Sequence, residues 1–525
     1  MIPFGTGRSV GGDVGEDVGV DVGVGESVGV GEGLVGVLGE EQAATSARTS
    51  SHLLMRSLCP VQHTDHVDPQ HAFSDDALGD LDGLAVAARI RAGEVSRREV
   101  IEASLARLAK VDGLNAVQLL DAERALTAAP VAGPFSGVPT FIKDNIDVEG
   151  WPTGMGSEAF VAKPAKRTSV SARTVLSTGV VALGKSRLPE IGLNATTEFR
   201  TGEPVRNPWN PAYSAGASSG GAAVLVASGV VPLAHANDGG GSIRIPAAVN
   251  GLVGLKPTRG RWAPDPLDRV MPVALVNNGC VSRTVRDTAH FLAHTERTTS
   301  KLPPIGLVEG PSPRRLRIGV VRHSIRGESD PETVAAVNDT VELLAGLGHH
   351  VEEMPLPFDE QFAQDFRVYW GFNGWFVMKS GPRVFPGWDR TKADGLTVGL
   401  EQYFAERRRQ FPGAVRRLRA SKHVYAEMFR TRDLVLSPVL SHTTPEIGYL
   451  SPNVPFDVLF ERLRDYAGFT PVNNAAGSPA ISLPLAQTAG GLPLGMHFSA
   501  AHGDERTLLE IAYELEQARP FARLG

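Results

Sequence analysis

Gly216-Ala-Ser-Ser-Gly-Gly-Ala-Ala-Val-Leu-Val-Ala-Ser228 is the stretch whose reading decides the fold. From Ser219 onward its apolar residues recur at helical spacing behind a Gly/Ser-rich start. Its hydroxyls and glycines therefore fall at a helix N-terminus, where the first N–H groups lack intrahelical partners. Upstream, Val138 to Ile142 reads as a short strand ending on Lys143, and Val180-Val-Ala-Leu183 as another that closes at Gly184. Downstream, Arg317-Ile-Gly-Val-Val321, Leu434-Val-Leu436 before Pro438 and Ala480-Ile-Ser-Leu483 before Pro484 read as further strands. Helices are predicted over Leu84 to Gly93, from the Ser96/Glu99 capping box to Leu108, near Glu332 to Ala345, and from Glu505 to Ala518. Strands alternating with helices throughout define an α/β architecture without internal repeats.

Residues 5 to 39 are a tract of Gly, Val, Asp and Glu in which Arg8 is the only basic residue before Arg48. Frequent glycine makes ordering costly and like charges repel, so residues 1–54 are expected to be disordered. Three readings of that tract stay open: an acidic interaction tail, a flexible extension, or a start of translation at Met55, which the intact mass decides. Residues 55–78 read as a poorly defined lead-in, and 79–525 as one domain.

The composition, 525 residues with 42% hydrophobic and 21% charged, provides ample material for a large core. A net charge of -6 offers no basic field, so nucleic acid is not expected as a partner. Two cysteines, Cys59 and Cys280, exclude a disulfide framework, favour a reducing compartment and fit no zinc spacing. The most apolar run, Ala222 to Ala234, is broken by Ser228, Gly229 and Pro232, which suits a buried helix and not a membrane span. No secretory signal pattern is seen at the N-terminus. The expected location is cytoplasmic.

The candidate chemistry lies in three motifs. Lys143 ends Gly137-Val-Pro-Thr-Phe-Ile-Lys-Asp144, Ser218 lies in Gly216-Ala-Ser-Ser-Gly-Gly221, and Ser242 lies in Asn237-Asp-Gly-Gly-Gly-Ser-Ile-Arg244. A serine hydroxyl is inert at neutral pH until its proton is taken, which a neutral lysine relaying through a second hydroxyl can do. Burial and hydrogen-bond donors to its lone pair lower a lysine pKa, and Ser218 and Ser219 are placed to supply such contacts. Before Ser242, the run Gly239, Gly240, Gly241 lets backbone N–H groups converge, since no Cβ blocks approach. With Ser242's own N–H these are candidate oxyanion donors, each worth roughly 3 kcal/mol in acyl transfer. Taken alone, each motif has a plainer reading: a tight Gly turn with a hydroxyl cap at Ser242, a linker or phosphate loop at Gly216–Gly221, a surface ion pair at Lys143-Asp144.

Order and spacing narrow these readings: 75 residues separate Lys143 from Ser218 and 24 separate Ser218 from Ser242. Motifs and spacing together resemble the amidase signature family over about residues 80 to 525. The flanks fit as well: Leu252-Val-Gly-Leu-Lys-Pro-Thr258, Asn277-Asn-Gly-Cys-Val-Ser-Arg-Thr-Val-Arg-Asp287 and Asn473-Asn-Ala-Ala-Gly-Ser-Pro-Ala-Ile-Ser-Leu-Pro484. The resemblance implies a large twisted mixed β-sheet flanked by helices on both faces. It also implies Ser242 as nucleophile, Ser218 as a relay hydroxyl held by a cis peptide, Lys143 as terminal base, and no metal or organic cofactor. Asp238 and Arg244 would support the nucleophile loop. The chain departs from the family pattern at Asn237, commonly Thr or Ser, at Gly239, commonly another residue, and at Ala217, commonly Gly.

His235-Ala-Asn-Asp-Gly-Gly-Gly-Ser-Ile-Arg-Ile-Pro246 resembles the branch that includes 6-aminohexanoate cyclic dimer hydrolase. The expected function is hydrolysis of a small carboxamide or an apolar or cyclic amide, with ester cleavage as a further option. Two alternatives remain, a tRNA-dependent amidotransferase A-type subunit and a non-catalytic binding protein on the same scaffold. Ile245, where the amidotransferase usually carries Gln, argues against the first. The intact Lys143, Ser218 and Ser242 argue against the second. The aromatics Tyr369, Trp370, Phe372, Trp375 and Phe376 read either as an acyl pocket or as core, and His235 as structural. Expected partners are a small-molecule amide and, left open, a second copy of the chain in a homodimer; neither nucleic acid nor membrane is expected.

Overall fold

Among the described residues, eleven strands carry the architecture: β1 (Val117–Leu120), β2 (Pro139–Lys143), β3 (Val181–Ser186), β4 (Leu233–Asp238), β5 (Val253–Lys256), β6 (Asn277–Ser282), β7 (Arg317–Val320), β8 (His350–Glu353), β9 (Leu434–Pro438), β10 (Ala480–Gln487) and β11 (Pro493–Ala500). The computed structural model describes residues 68–297 and 300–525. The acidic tract at 5–39, Met55 and Cys59 lie outside the described residues.

Eight strands form one mixed sheet in the order β4-β6-β5-β10-β11-β9-β7-β8, antiparallel from β4 to β9 and parallel across β9, β7 and β8. A second, three-stranded sheet has the order β1-β3-β2. It abuts the large sheet through side chains: Thr140 Oγ1 donates to the Leu233 carbonyl at 3.0 Å, and the Lys143 N–H donates to His235 Nδ1 at 3.3 Å. The tip of β2 is thereby fixed beside β4, which leads into the Ser242 loop.

Helices cover both faces of the large sheet. Ile481 and Leu483 of β10 alternate onto one face and pack with Val337, Leu508 and Ala512 of the helices Pro331–Gly346 and Glu505–Ala518. Each such burial contributes about 1.5–3 kcal/mol. Ser482 points to the other face, where helix Arg244–Asn250 lies so close that a Cβ on Gly495 would meet Ala248 Cβ at 2.4 Å. That approach anchors the helix following Ser242 directly on the sheet.

Most elements lie where patterning predicts them, and the differences have local causes. Gly184 does not end its strand. Its missing Cβ lets β1 approach, since a Cβ there would sit 1.8 Å from the Leu119 carbonyl oxygen, and β3 continues to Ser186. Pro484 lies inside β10, where pairing with β11 shifts register between Leu483 and Ala486, so no ladder bond is demanded of its nitrogen. The apolar run from Ala222 is a helix only to Ala227; it turns at Ser228 and Gly229 and becomes β4. Ordered packing also starts before Leu78, because the Ala72 N–H donates to the Ser228 carbonyl at 2.8 Å and Ala72 is buried.

Candidate active site

Lys143, at the end of β2, is fully buried. Its Nζ lies 2.8 Å from Ser218 Oγ, 2.9 Å from Ser219 Oγ and 2.8 Å from Asn237 Oδ1. A neutral amine has two N–H donors and one lone pair. Asn237 Oδ1 can only accept, and Ser219 Oγ is itself within 3.3 Å of the Asn237 carbonyl, to which it donates. Both donors of the neutral amine are thus matched, and the lone pair is left for the Ser218 hydroxyl. Burial pulls the Lys143 pKa from 10.5 down to about 7, while the charge of Asp238 pulls it back up. Lys143 is therefore not paired with its neighbour Asp144, whose carboxylate faces Lys185 at 3.1 Å.

Asn237 and Asn145 exchange a reciprocal amide pair at 3.0 and 3.3 Å, which orients the Asn237 oxygen towards Lys143. Asn237 was visible in the sequence only as a departure from the family pattern, and Asn145 not at all. His235 accepts the Lys143 backbone N–H at Nδ1, so its proton sits on Nε2, facing Asn278 Oδ1 at 3.2 Å. Burial lowers its pKa to about 4. It is a neutral brace for the β2 tip.

The Ala217–Ser218 peptide is cis, as the resemblance implies. Gly192 lies against this residue, with its Cβ position 3.2 Å from Ser218 Oγ, so a side chain at 192 would intrude on the hydroxyl.

Ser242 follows a loop held at both ends. Gly241 has φ 131°, and a Cβ there would meet Thr470 Oγ1 at 2.4 Å, so only glycine fits. Thr470 Oγ1 donates to the Gly240 carbonyl at 2.7 Å. The Gly241 N–H donates to Asp238 Oδ1 at 2.8 Å, which corrects its assignment as an oxyanion donor: that hydrogen is already taken. The N–H groups of Gly239, Gly240 and Ser242 have no protein acceptor among the described residues.

Asp238 and Arg244 are buried and form a two-pronged pair at 2.9 Å on each prong. Asn474 donates to Asp238 and accepts from Arg244 at 2.8 and 2.7 Å, and Asn473 Oδ1 and His497 Nε2 face the other guanidinium nitrogen. Burial acts to raise the Asp238 pKa; the charge and hydrogen bonds of Arg244 outweigh it and hold the carboxylate far below its ordinary range. Asp238→Ala would leave Arg244 charged and unpaired, and is expected to cost about 3–5 kcal/mol of stability in urea denaturation.

Ser242 opens into a solvent-connected cleft. Phe362, Phe366 and Trp370, spaced four apart on helix Glu360–Val384, form one wall, with Phe460, Leu463 and Ile245 opposite. Phe366 and Trp370 stack at 5.6 Å, and Trp370 Nε1 donates to the Leu193 carbonyl at 3.0 Å. Of the five aromatics that read as either pocket or core, Trp370 alone is among the residues lining the cleft. Tyr369, Phe372 and Trp375 instead pack on Phe404 and Phe411. Among the described residues, no group of three or more His, Cys, Asp or Glu is placed to hold a metal ion, and no helix is long and apolar enough to cross a membrane.

The amidase family model matches residues 99–509, and the chain belongs to that family. AmiC of Mycobacterium leprae, a protein assigned as an amidase, is 48% identical over 463 residues, covering 86% of this chain and 98% of its own. The 6-aminohexanoate-cyclic-dimer hydrolase of Paenarthrobacter ureafaciens is 34% identical over 84% of this chain and 95% of its own. A solved structure of 6-aminohexanoate cyclic dimer hydrolase with substrate superposes with a TM-score of 0.76 at 31% identity, covering 85% of this chain and 98% of that one. A bacterial aryl acylamidase of the amidase signature family superposes at 0.74 with 25% identity, over 84% and 96% of the two chains. The mixed α/β sheet and the amide-hydrolase class both follow.

Proposed function

We propose that this amidase cleaves apolar amides through an acyl-enzyme on Ser242, with Ser218 and Lys143 as its proton relay. The observation that carries this reading is the bonded contact of Lys143 Nζ with Ser218 Oγ, on a lysine whose pKa lies near 7, beside the cleft that Ser242 lines. Ser242 Oγ is not hydrogen-bonded to Ser218 before substrate binds, a contact that tightens in the substrate complex. There Ser242 Oγ bonds to the amide carbon as its proton passes to Ser218 and the Ser218 proton to Lys143. The N–H groups of Gly239, Gly240 and Ser242 take the oxyanion, contributing roughly 3 kcal/mol each. The proton on Lys143 returns through Ser218 to the leaving nitrogen as the C–N bond breaks. Water then releases the acid by the same relay in reverse.

The apolar preference rests on the Phe362, Phe366 and Trp370 wall. A hydrolysis screen over short, long-chain, aryl and cyclic amides, read as ammonia or amine release, tests it. Long-chain or aryl amides are expected to lead. Phe366→Ala is expected to raise KM for them about tenfold, through about 1.5 kcal/mol of lost apolar contact, and to leave acetamide nearly unaffected. Activity confined to glutamine would favour the amidotransferase reading instead.

A further inference from the structure

Three partly exposed arginines, Arg326, Arg367 and Arg464, line the apolar cleft, and no Asp or Glu does. Their counter-ions stand on the outer side. Arg326 pairs with Asp465 at 3.1 Å, Glu461 at 3.6 Å and Glu360 at 3.7 Å, Arg367 with Glu461 at 3.0 Å, and Arg464 with Glu360 at 3.2 Å and again with Glu461. The guanidinium side chains are 32%, 19% and 13% exposed, whereas Glu360, Glu461 and Asp465 are 42%, 44% and 53% exposed. Positive charge thus lines the cleft while negative charge faces solvent.

One carboxylate, Glu461, is shared by all three arginines. The Nε–H donors of Arg367 and Arg464 are buried without an acceptor among the described residues. Burial, and behind it the charge of Arg367, holds Arg464 below the ordinary guanidinium range, as expected where cations crowd together. An apolar cleft lined by three guanidinium groups and no carboxylate suits a ligand with an apolar middle and an anionic end, because planar N–H forks recognise carboxylates in two-point contacts.

We propose that the mouth formed by Arg326, Arg367 and Arg464 is a carboxylate subsite, so that the preferred substrates are amides whose apolar chain ends in a carboxylate. This inference rests on the amidase reading of the cleft, and it names the substrate class that reading leaves open.

The test separates binding from turnover. Isothermal titration of the Ser242→Ala protein compares octanamide, suberic acid monoamide and ω-aminooctanamide, which share a chain and differ in a methyl, carboxylate or ammonium end. A parallel series, N-acetyl-octylamine against N-acetyl-ω-aminooctanoate, places the charge on the amine side. In at least one series the carboxylate is expected to bind about tenfold more tightly than its neutral partner, a modest figure because the mouth is partly hydrated. The preference is expected to narrow with added salt and to collapse towards one in Arg326→Gln and in Arg464→Gln, each on the Ser242→Ala background. Equal binding of methyl and carboxylate ends in both series overturns the proposal. So does tighter binding of the ammonium end, which would assign the mouth to Glu360, Glu461 and Asp465, and so does a preference that survives both arginine substitutions. Turnover of octanamide by the wild-type enzyme reports separately on the hydrolase reading.

Discussion

Ser242→Ala is expected to abolish amide hydrolysis, lowering kcat/KM by roughly a millionfold, the scale reached when a serine hydrolase loses its nucleophile. The residue lines the cleft, lies beside N–H groups of the loop that have no other acceptor, and is 8% exposed, enough for a substrate carbonyl to reach it. Among the described residues its hydroxyl makes no hydrogen bond to the protein, so the substitution leaves the thermal midpoint at the wild-type value and the loss reads as chemistry. A fluorophosphonate probe checks the assignment by covalent labelling followed by intact mass. The wild type gains one adduct and Ser242→Ala gains none. Equal labelling of the two would place the nucleophile elsewhere.

Lys143→Ala is expected to lower kcat/KM by roughly three to four orders of magnitude, the range for loss of a general base. The pH profile gives the sharper test. The lysine must be neutral to take a proton, and its pKa lies at about 7. Activity is therefore expected to rise about tenfold per pH unit below 7 and to level off above it. His235, at about 4, is already neutral throughout that limb. Glu190 is a second group that burial and the neighbouring Asp394 push to about 7, and it precedes the segment that places Leu193 in the cleft wall. Glu190→Gln separates the two: the limb stays if Lys143 causes it and vanishes if Glu190 does. An activity that falls as pH rises from 6 to 8 would contradict a neutral lysine base.

Much of the site was legible because its motifs are local. Gly93, the Ser96/Glu99 box and the Gly-rich runs dictate backbone conformations within a few residues, and the described chain follows them: Gly93 caps its helix at φ 72°, and Glu99 and Ser96 exchange both bonds of the box. Lys143 and Ser218 meet as the family resemblance implies. What adjacency in sequence misjudged was direction. Three consecutive glycines suggested three converging donors, yet Asp238 takes the hydrogen of Gly241. A helix turns about 100° per residue, so positions three or four apart share a face and sequence neighbours do not. Phe362 and Phe366 therefore join Trp370 along the cleft, and Tyr369 and Phe372 pack on Phe411.

The sequence by itself determined the alternation of strands and helices, the identities of Lys143, Ser218 and Ser242, and the glycines without which the Ser242 loop cannot form. These are properties of residue type and short-range backbone freedom. Tertiary structure alone decided that Lys143 loses its proton near pH 7, because burial lowers its pKa and the segments packed around its Nζ, those of Ser218, Ser219 and Asn237, lie 75 to 94 residues away. It alone decided which N–H groups stay open to a substrate, since Asp238 and Thr470 select them, and which side chains bound the cleft. Desolvation, hydrogen-bond direction and cavity shape depend on what the rest of the chain packs around a residue, and that packing is not written at the residue itself.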